Sequence, residues 1–250
     1  MKGTPGILEH LFLEPNDLSG GRIILEGEGC FHLARVKRAR RGEEVTWSDG
    51  AGRVGRAVIE EIGGNSVSLR VTEEGRARRK KPRLILYQAL PKSGKMDGIL
   101  RRCTEVGVDR FRPFVSSRTL PGLVRAGVPE KMTRWNKVLR EAARQSRRDF
   151  LPELELPLSW EGFLECLEEG HLTLLAWEEE KERRVLDALP REAPESVALV
   201  VGPEGGFSVR EVEEMREAGA VTVSLGSNIL RTENAGMVMA VLAGGVYGRI

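Results

Sequence analysis

The chain has 250 residues, of which 40% are hydrophobic, 30% charged and only 5% aromatic, enough to bury a core in one large domain or in a large and a small one. Its formal net charge of +2 conceals an asymmetry: residues 1–150 hold 31 Lys and Arg against 18 Asp and Glu, whereas residues 151–250 hold 8 against 19. No apolar run approaches the roughly 18 residues of a membrane span and the first residues lack a signal-peptide pattern, so a cytoplasmic protein with no membrane partner is expected.

The basic half can attract a polyanion by releasing its counterions. Three cysteines, Cys30, Cys103 and Cys166, and three histidines, His10, His32 and His171, are scattered along the chain. Neither set has ligand spacing, which predicts a reducing compartment, no disulfide framework and no metal.

Residues 1–73 read as short strands, Arg22–Leu25, Glu44–Trp47, Arg53–Ile59 and Ser66–Val71, separated by Gly, Asn and Asp turns, the pattern of a small β-barrel. Between the first two lies Phe31-His-Leu-Ala-Arg-Val-Lys-Arg-Ala-Arg-Arg-Gly42. Its five cations between Arg35 and Arg41 favour phosphate contact over an ordinary solvated turn. Gly50-Ala-Gly-Arg-Val-Gly55 matches the dinucleotide fingerprint letter for letter. That fingerprint needs a helix after it, whereas Asp49-Gly50 signals a hairpin and the next residues alternate as a strand, so no dinucleotide site is expected. Residues 74–83 form a basic linker containing Arg76, Arg78, Arg79, Lys80, Lys81 and Arg83.

From Leu84 the pattern changes to alternating strands and helices, which predicts an α/β domain over residues 84–250. A strand at Leu84–Leu90 precedes the loop Pro91–Lys95, after which Met96, Ile99, Leu100, Cys103 and Val106 share one helix face closed by Gly107. A strand at Phe111–Val115 leads into Ser116-Ser-Arg-Thr119. The segment Pro129–Arg148 is an amphipathic helix with Trp135, Val138, Leu139 and Ala142 on its buried stripe, and Leu172–Trp177 is another strand.

The stretch Val197–Ala235 carries the chemistry. The apolar run Val197–Val201 ends in Gly202-Pro-Glu-Gly-Gly-Phe207, and the strand Val221–Leu225 ends in Gly226-Ser-Asn-Ile-Leu-Arg-Thr-Glu-Asn-Ala235. Gly202, Gly205 and Gly206 let a flat ligand approach peptide groups directly. Ser208 and Glu211 form a capping box for a helix Val209–Ala218. Loops that follow buried parallel strands converge at the carboxyl edge of a sheet, where open α/β folds bind ligands, and these two are read as leaving neighbouring strands. The last helix, Asn234–Val246, is apolar nearly all round, so it is buried on both sides, either centrally in a monomer or against a partner subunit.

Gly-Pro-Glu-Gly-Gly-Phe followed by Leu225-Gly-x-x-Ile-Leu-Arg-Thr-Glu233 resembles the S-adenosylmethionine (SAM) site of SPOUT-class methyltransferases, specifically the small-subunit rRNA uridine-N3 methyltransferases. The segment from Phe31 resembles that family's His-Leu-x-x-Val-Leu-Arg signature, with Lys37 where Leu is usual. Ala89-Leu-Pro-Lys92, Lys95-Met96, Thr104–Val108 and Glu141-Ala-x-x-Gln145-Ser-x-Arg148 also fit, whereas Val106 replaces a Leu and Asn234 a Thr. The resemblance implies a PUA-like RNA-binding β-barrel followed by a SPOUT α/β-knot methyltransferase domain with a deep trefoil knot. It also implies a homodimer through the C-terminal helix region and, as partner, 16S rRNA or the assembled small ribosomal subunit.

Residue by residue, the resemblance assigns the SAM cofactor to three loops. The first holds it with Val201, Gly202, Pro203, Glu204, Gly205 and Gly206, the second with Leu225, Gly226, Asn228, Ile229, Leu230, Thr232 and Ala235, and the third with Leu175, Ala176 and Trp177. RNA contacts are expected from His32, Arg35, Arg38, Lys92, Arg118, Gln145 and Arg148. Uracil N3 becomes nucleophilic only when its proton leaves, so Arg231 is expected to stabilise the charge that develops on the ring. Glu204 or Glu233 is expected to accept the proton or to fix the arginine. Because N3 lies on the pairing edge, the base must be unstacked or unpaired. Two alternatives stay open: a non-catalytic RNA-binding or ribosome-assembly factor of the same fold, and a SPOUT methyltransferase acting on another base or a ribose hydroxyl.

Overall fold

A computed structural model describes residues 7–14, 16–92, 94–119, 127–167 and 172–250; His171 and part of the Pro91–Lys95 loop lie outside them. The chain divides into two compact units, residues 1–78 with 144–151 and residues 79–143 with 152–250.

The first unit holds strands β1 (His10–Phe12), β2 (Leu18–Ser19), β3 (Arg22–Glu26), β4 (Glu44–Ser48), β5 (Arg53–Ile62) and β6 (Ser66–Arg76). They form one sheet in the order β1-β4-β5-β6-β3-β2, antiparallel except between β1 and β4. Alternation places Ile23, Val45, Trp47, Ile59 and Leu69 in its core. Two features differ from expectation. β6 runs on to Arg76, into the expected linker, because β5 pairs along it and Arg53 and Arg56 bridge to Glu74 and Glu73 at 2.9 and 3.1 Å. Second, the basic segment opens as helix α1 (Gly27–Phe31), which passes into a π-helical turn over His32–Val36. Gly55 of the rejected fingerprint lies inside β5, where a Cβ would collide with the Glu73 carbonyl and the Trp47 ring.

The second unit holds β7 (Arg83–Ala89), β8 (Arg110–Phe114), β9 (Glu153–Leu154), β10 (Leu172–Ala176), β11 (Ser196–Val201) and β12 (Val221–Val223). Every pair in the order β12-β10-β11-β7-β8-β9 is parallel. Its helices are α2 (Lys95–Glu105), α3 (Val128–Gln145, whose last residues group with the first unit), α4 (Trp160–Leu167), α5 (Val209–Glu217) and α6 (Thr232–Val246). β7 and β11 are buried along nearly their whole length, as continuous apolar runs in a sheet covered on both faces must be. Leu84, Leu86, Leu199 and Val201 face a core with Ile99, Met239 and Ala240, while Ile85, Tyr87, Ala198 and Val200 share another with Phe114 and Phe163.

β10 lies between β11 and β12, so the two glycine loops leave strands that flank a third rather than neighbours. α6 buries Ala235, Gly236, Met239, Ala240 and Ala243, and a Cβ on Gly236 would stand 3.2 Å from Leu86, so the glycine admits close helix-to-sheet contact. Its other face leaves Val241 and Val246 at 40% and 48% exposure, so the helix is not buried on both sides within one chain.

The charge asymmetry does not separate the units. The first unit carries 15 Lys and Arg against 13 Asp and Glu, and the second 24 against 24. The excess sits within the second unit, where residues 79–143 hold 16 cations against 5 carboxylates.

Candidate active site

The carboxyl ends of β10, β11 and β12 deliver three loops to one cavity of about 550 Å³, within the range of small-molecule sites. Ala176 ends β10 and Trp177 follows it, Val201 ends β11 and Gly202–Phe207 follow it, and Ser224–Arg231 follow β12, with Thr232 and Ala235 from the start of α6. The cavity thus gathers every residue expected in the three loops except Leu175, which is fully buried and packs with Tyr87 and Val200. Alternation explains the exception: successive strand residues face opposite sides, so Leu175 turns into the core as Ala176 reaches the lining.

Hydrogen bonds hold the loops. The Thr232 hydroxyl donates to the Gly202 carbonyl at 2.6 Å and accepts from the Gln88 side-chain amide at 3.0 Å, tying the first loop to α6 and to buried β7. The Arg118 guanidinium donates to the Gly205 carbonyl. Ser208 and Glu211 form the expected capping box at the start of α5, and the other Glu211 oxygen accepts the Ser117 amide at 2.7 Å. Gly206 has φ +66°, a conformation open to glycine, and a Cβ there would lie 2.5 Å from a Glu178 oxygen.

Lys95, which opens α2, is the residue that sequence reasoning left outside the site. Its ammonium stands 3.0 Å from Glu204 and 3.2 Å from Glu233 on the cavity wall. The Lys92 amide also donates to both Glu204 oxygens at 3.2 Å. Burial pushes the Glu204 carboxyl up, but hydrogen bonds from its own amide, Lys95 and Lys92 outweigh it and hold the group below its ordinary range. Its own backbone amide does most to lower Glu233, against some burial, with help from Lys95 and Arg231. Hydrogen bonds donated to the two carboxylates raise Lys95. Both glutamates therefore pair with Lys95, and Arg231 acts on Glu233 only through its charge, at a distance. The exposed Arg231 guanidinium has no hydrogen bond or ion pair among the described residues.

The seven expected RNA contacts fall into two groups. Lys92 and Arg118 adjoin the first glycine loop in the second unit. His32, Arg35, Arg38, Gln145 and Arg148 belong to the first. Arg35, Arg38 and Gln145 are exposed there, while half-buried His32 faces Glu9 at 3.7 Å and the Arg148 carbonyl accepts the Ser48 hydroxyl at 3.1 Å. Among the described residues no cluster of His, Cys, Asp and Glu could hold a metal ion.

A parallel α/β unit with a three-loop cavity and a separate small β unit define the class: residues 78–243 match the RNA methyltransferase domain family and residues 25–72 the RNA methyltransferase PUA domain. The chain belongs to the family of ribosomal RNA small subunit methyltransferase E. It is 35% identical to that enzyme of Mycobacterium bovis over 223 residues, covering 88% of this chain and 85% of the relative. With the Bacillus subtilis enzyme it shares 30% over 219 residues, 84% of this chain and 85% of the relative. A Legionella pneumophila structure with the bound cofactor SAM superposes with a TM-score of 0.78 at 27% identity, over 94% of this chain and 96% of that one.

Proposed function

We propose that this protein transfers a methyl group from SAM to N3 of a uridine in 16S rRNA. The observation that carries the reading is the Arg231 guanidinium, which has no hydrogen bond or ion pair among the described residues, at the rim of a cavity built from glycine loops. A nucleoside cofactor needs apolar walls with polar backbone groups at their edge. Ala176, Val201, Leu225, Leu230 and Ala235 supply the walls, and the peptides of Gly202, Gly205 and Gly206 the edge, so the residues present fit SAM. When bound, SAM supplies a methyl group already activated on a positively charged sulfur.

The protein's share is alignment, exclusion of water and charge. A guanidinium beside the uracil ring favours the deprotonated imide, which exposes the N3 lone pair. Glu204 and Glu233, held ionised by their own backbone amides and by Lys95, are weak bases as they stand, and their role is to place Lys95, the first loop and the start of α6 together. The exposed Val241 and Val246 of α6 support pairing of two copies through this helix, in the cytoplasm where small subunits are assembled.

Purified protein incubated with unmodified 16S rRNA or small subunits and labelled SAM should yield N3-methyluridine in the digested RNA. Label on a ribose or another base would move the protein to a different methyltransferase branch, and SAM binding without transfer to either substrate would leave an RNA-binding factor.

The glycines give a second check. A Cβ on Gly205 would point at the flexible Arg118 side chain, whereas one on Gly206 adds left-handed strain and crowds Glu178. Such strain costs about 1–2 kcal/mol. Gly206→Ala should therefore weaken SAM binding about tenfold in calorimetry, and Gly205→Ala should bind nearly as wild type.

A further inference from the structure

The first unit has a cavity of its own, about 480 Å³, between α1 with its π-helical turn and the β5–β6 hairpin. Phe31 and Ile62 form apolar walls, Cys30 lies at its buried base, and Arg35, Gly64 and Asn65 complete the rim. Phe31 is 63% exposed and is the only aromatic among the large hydrophobic side chains left exposed in the described residues. Exposing a phenyl ring beside a recess loses burial free energy unless something stacks on it.

The surroundings indicate what does. Arg35, Arg38, Arg40 and Arg41 have no side-chain partner among the described residues, whereas neighbouring Lys37 is bound to Glu9 at 2.5 Å. No carboxylate lines the cavity. The local backbone is also unusual: π-helical turns are rare and concentrate at functional sites, and Arg38 has φ +52°, a conformation non-glycine residues seldom adopt. An aromatic face, an amide able to donate and accept, and free guanidinium groups are the parts of a single-stranded nucleic-acid site.

We infer that this recess takes one unpaired nucleobase of the RNA substrate, stacked on Phe31 and edged by Asn65, with Arg35 on the adjoining phosphate. The inference rests on the proposed action on rRNA and adds a second point of grip. A duplex cannot enter, because its bases are already stacked and its edges paired.

The test uses the full chain, fluorescence anisotropy, a labelled short oligouridine RNA, and a duplex RNA of equal length. Phe31→Ala removes an exposed ring, and Gly64→Leu adds a side chain where a Cβ meets open space and φ is unstrained, so neither should disturb the fold. Both should weaken oligouridine binding about tenfold, the scale of one lost stacking contact, while Phe31→Trp should bind as wild type. Duplex and SAM binding should be unchanged in all three. Wild-type failure to bind oligouridine, wild-type affinity in Phe31→Ala and Gly64→Leu, or equal loss on the duplex would overturn the assignment. Wild-type protein that methylates rRNA while its single-strand binding ignores Phe31 removes the recess alone. Absence of methyl transfer removes the proposed function whatever Phe31 does.

Discussion

Replacing Arg231 by alanine should slow methyl transfer at saturating SAM by about 10²–10³-fold, the usual effect of deleting one preorganised group that stabilises developing charge. SAM affinity should stay within a few-fold. The separation follows from how the loop is built. Thr232 bonds to Gly202 and receives Gln88, so the join between the first loop and α6 does not pass through the arginine. The guanidinium is exposed and bonded to nothing among the described residues, so its removal leaves no buried group unpaired. Single-turnover kinetics and calorimetry measure the two quantities separately. Equal loss of both would show that Arg231 shapes the cofactor loop and has no part in the transfer. Arg231→Lys should recover part of the rate, since an ammonium keeps the charge but not the planar fork.

What could be read from the residues, and what could not, divides along the range of the interaction. Gly202–Phe207 announced a loop because an uninterrupted apolar strand ran into glycines, and Ser208 with Glu211 announced the next helix because capping acts within one turn. The place of β10 between β11 and β12 had no such signal, since strand order depends on crossovers that leave no local trace. For the same reason the knot implied by family resemblance is a property of chain path and not of periodicity. β1 and β2 were missed because runs of three and two residues are too short for alternation to register. The turn after α1 reads in the sequence as a basic, phosphate-contacting segment with no helical signal, because its cations mask one buried residue, Leu33. Lys95 was visible as a motif residue but not as a site residue, because its partners Glu204 and Glu233 stand more than a hundred positions later in the chain.

That three-way contact leads to the second large effect. Lys95→Met should lower the transfer rate by about tenfold, because Lys95 is, among the described residues, the one cation that both Glu204 and Glu233 pair with on the cavity wall, and its loss removes two screened ion pairs at once. Without the ammonium, Glu204 and Glu233 lose their shared cation, and Glu233, already coupled to Arg231, becomes the natural partner for the free guanidinium. An arginine drawn onto Glu233 no longer faces the substrate. Acid denaturation adds a readout independent of turnover. Both glutamates have folded-state values below their ordinary 4.5, so the stability they confer is full above that pH and is lost as pH falls through the lowered values. Lys95→Met should therefore be less stable than wild type near neutrality, and the two should converge once both carboxyls are protonated. Lys95→Arg, which retains the charge, should restore most of the acid-dependent stability. A stability deficit that stays constant from neutral to acid pH would show that Lys95 contributes packing at the start of α2 and does not organise the two carboxylates.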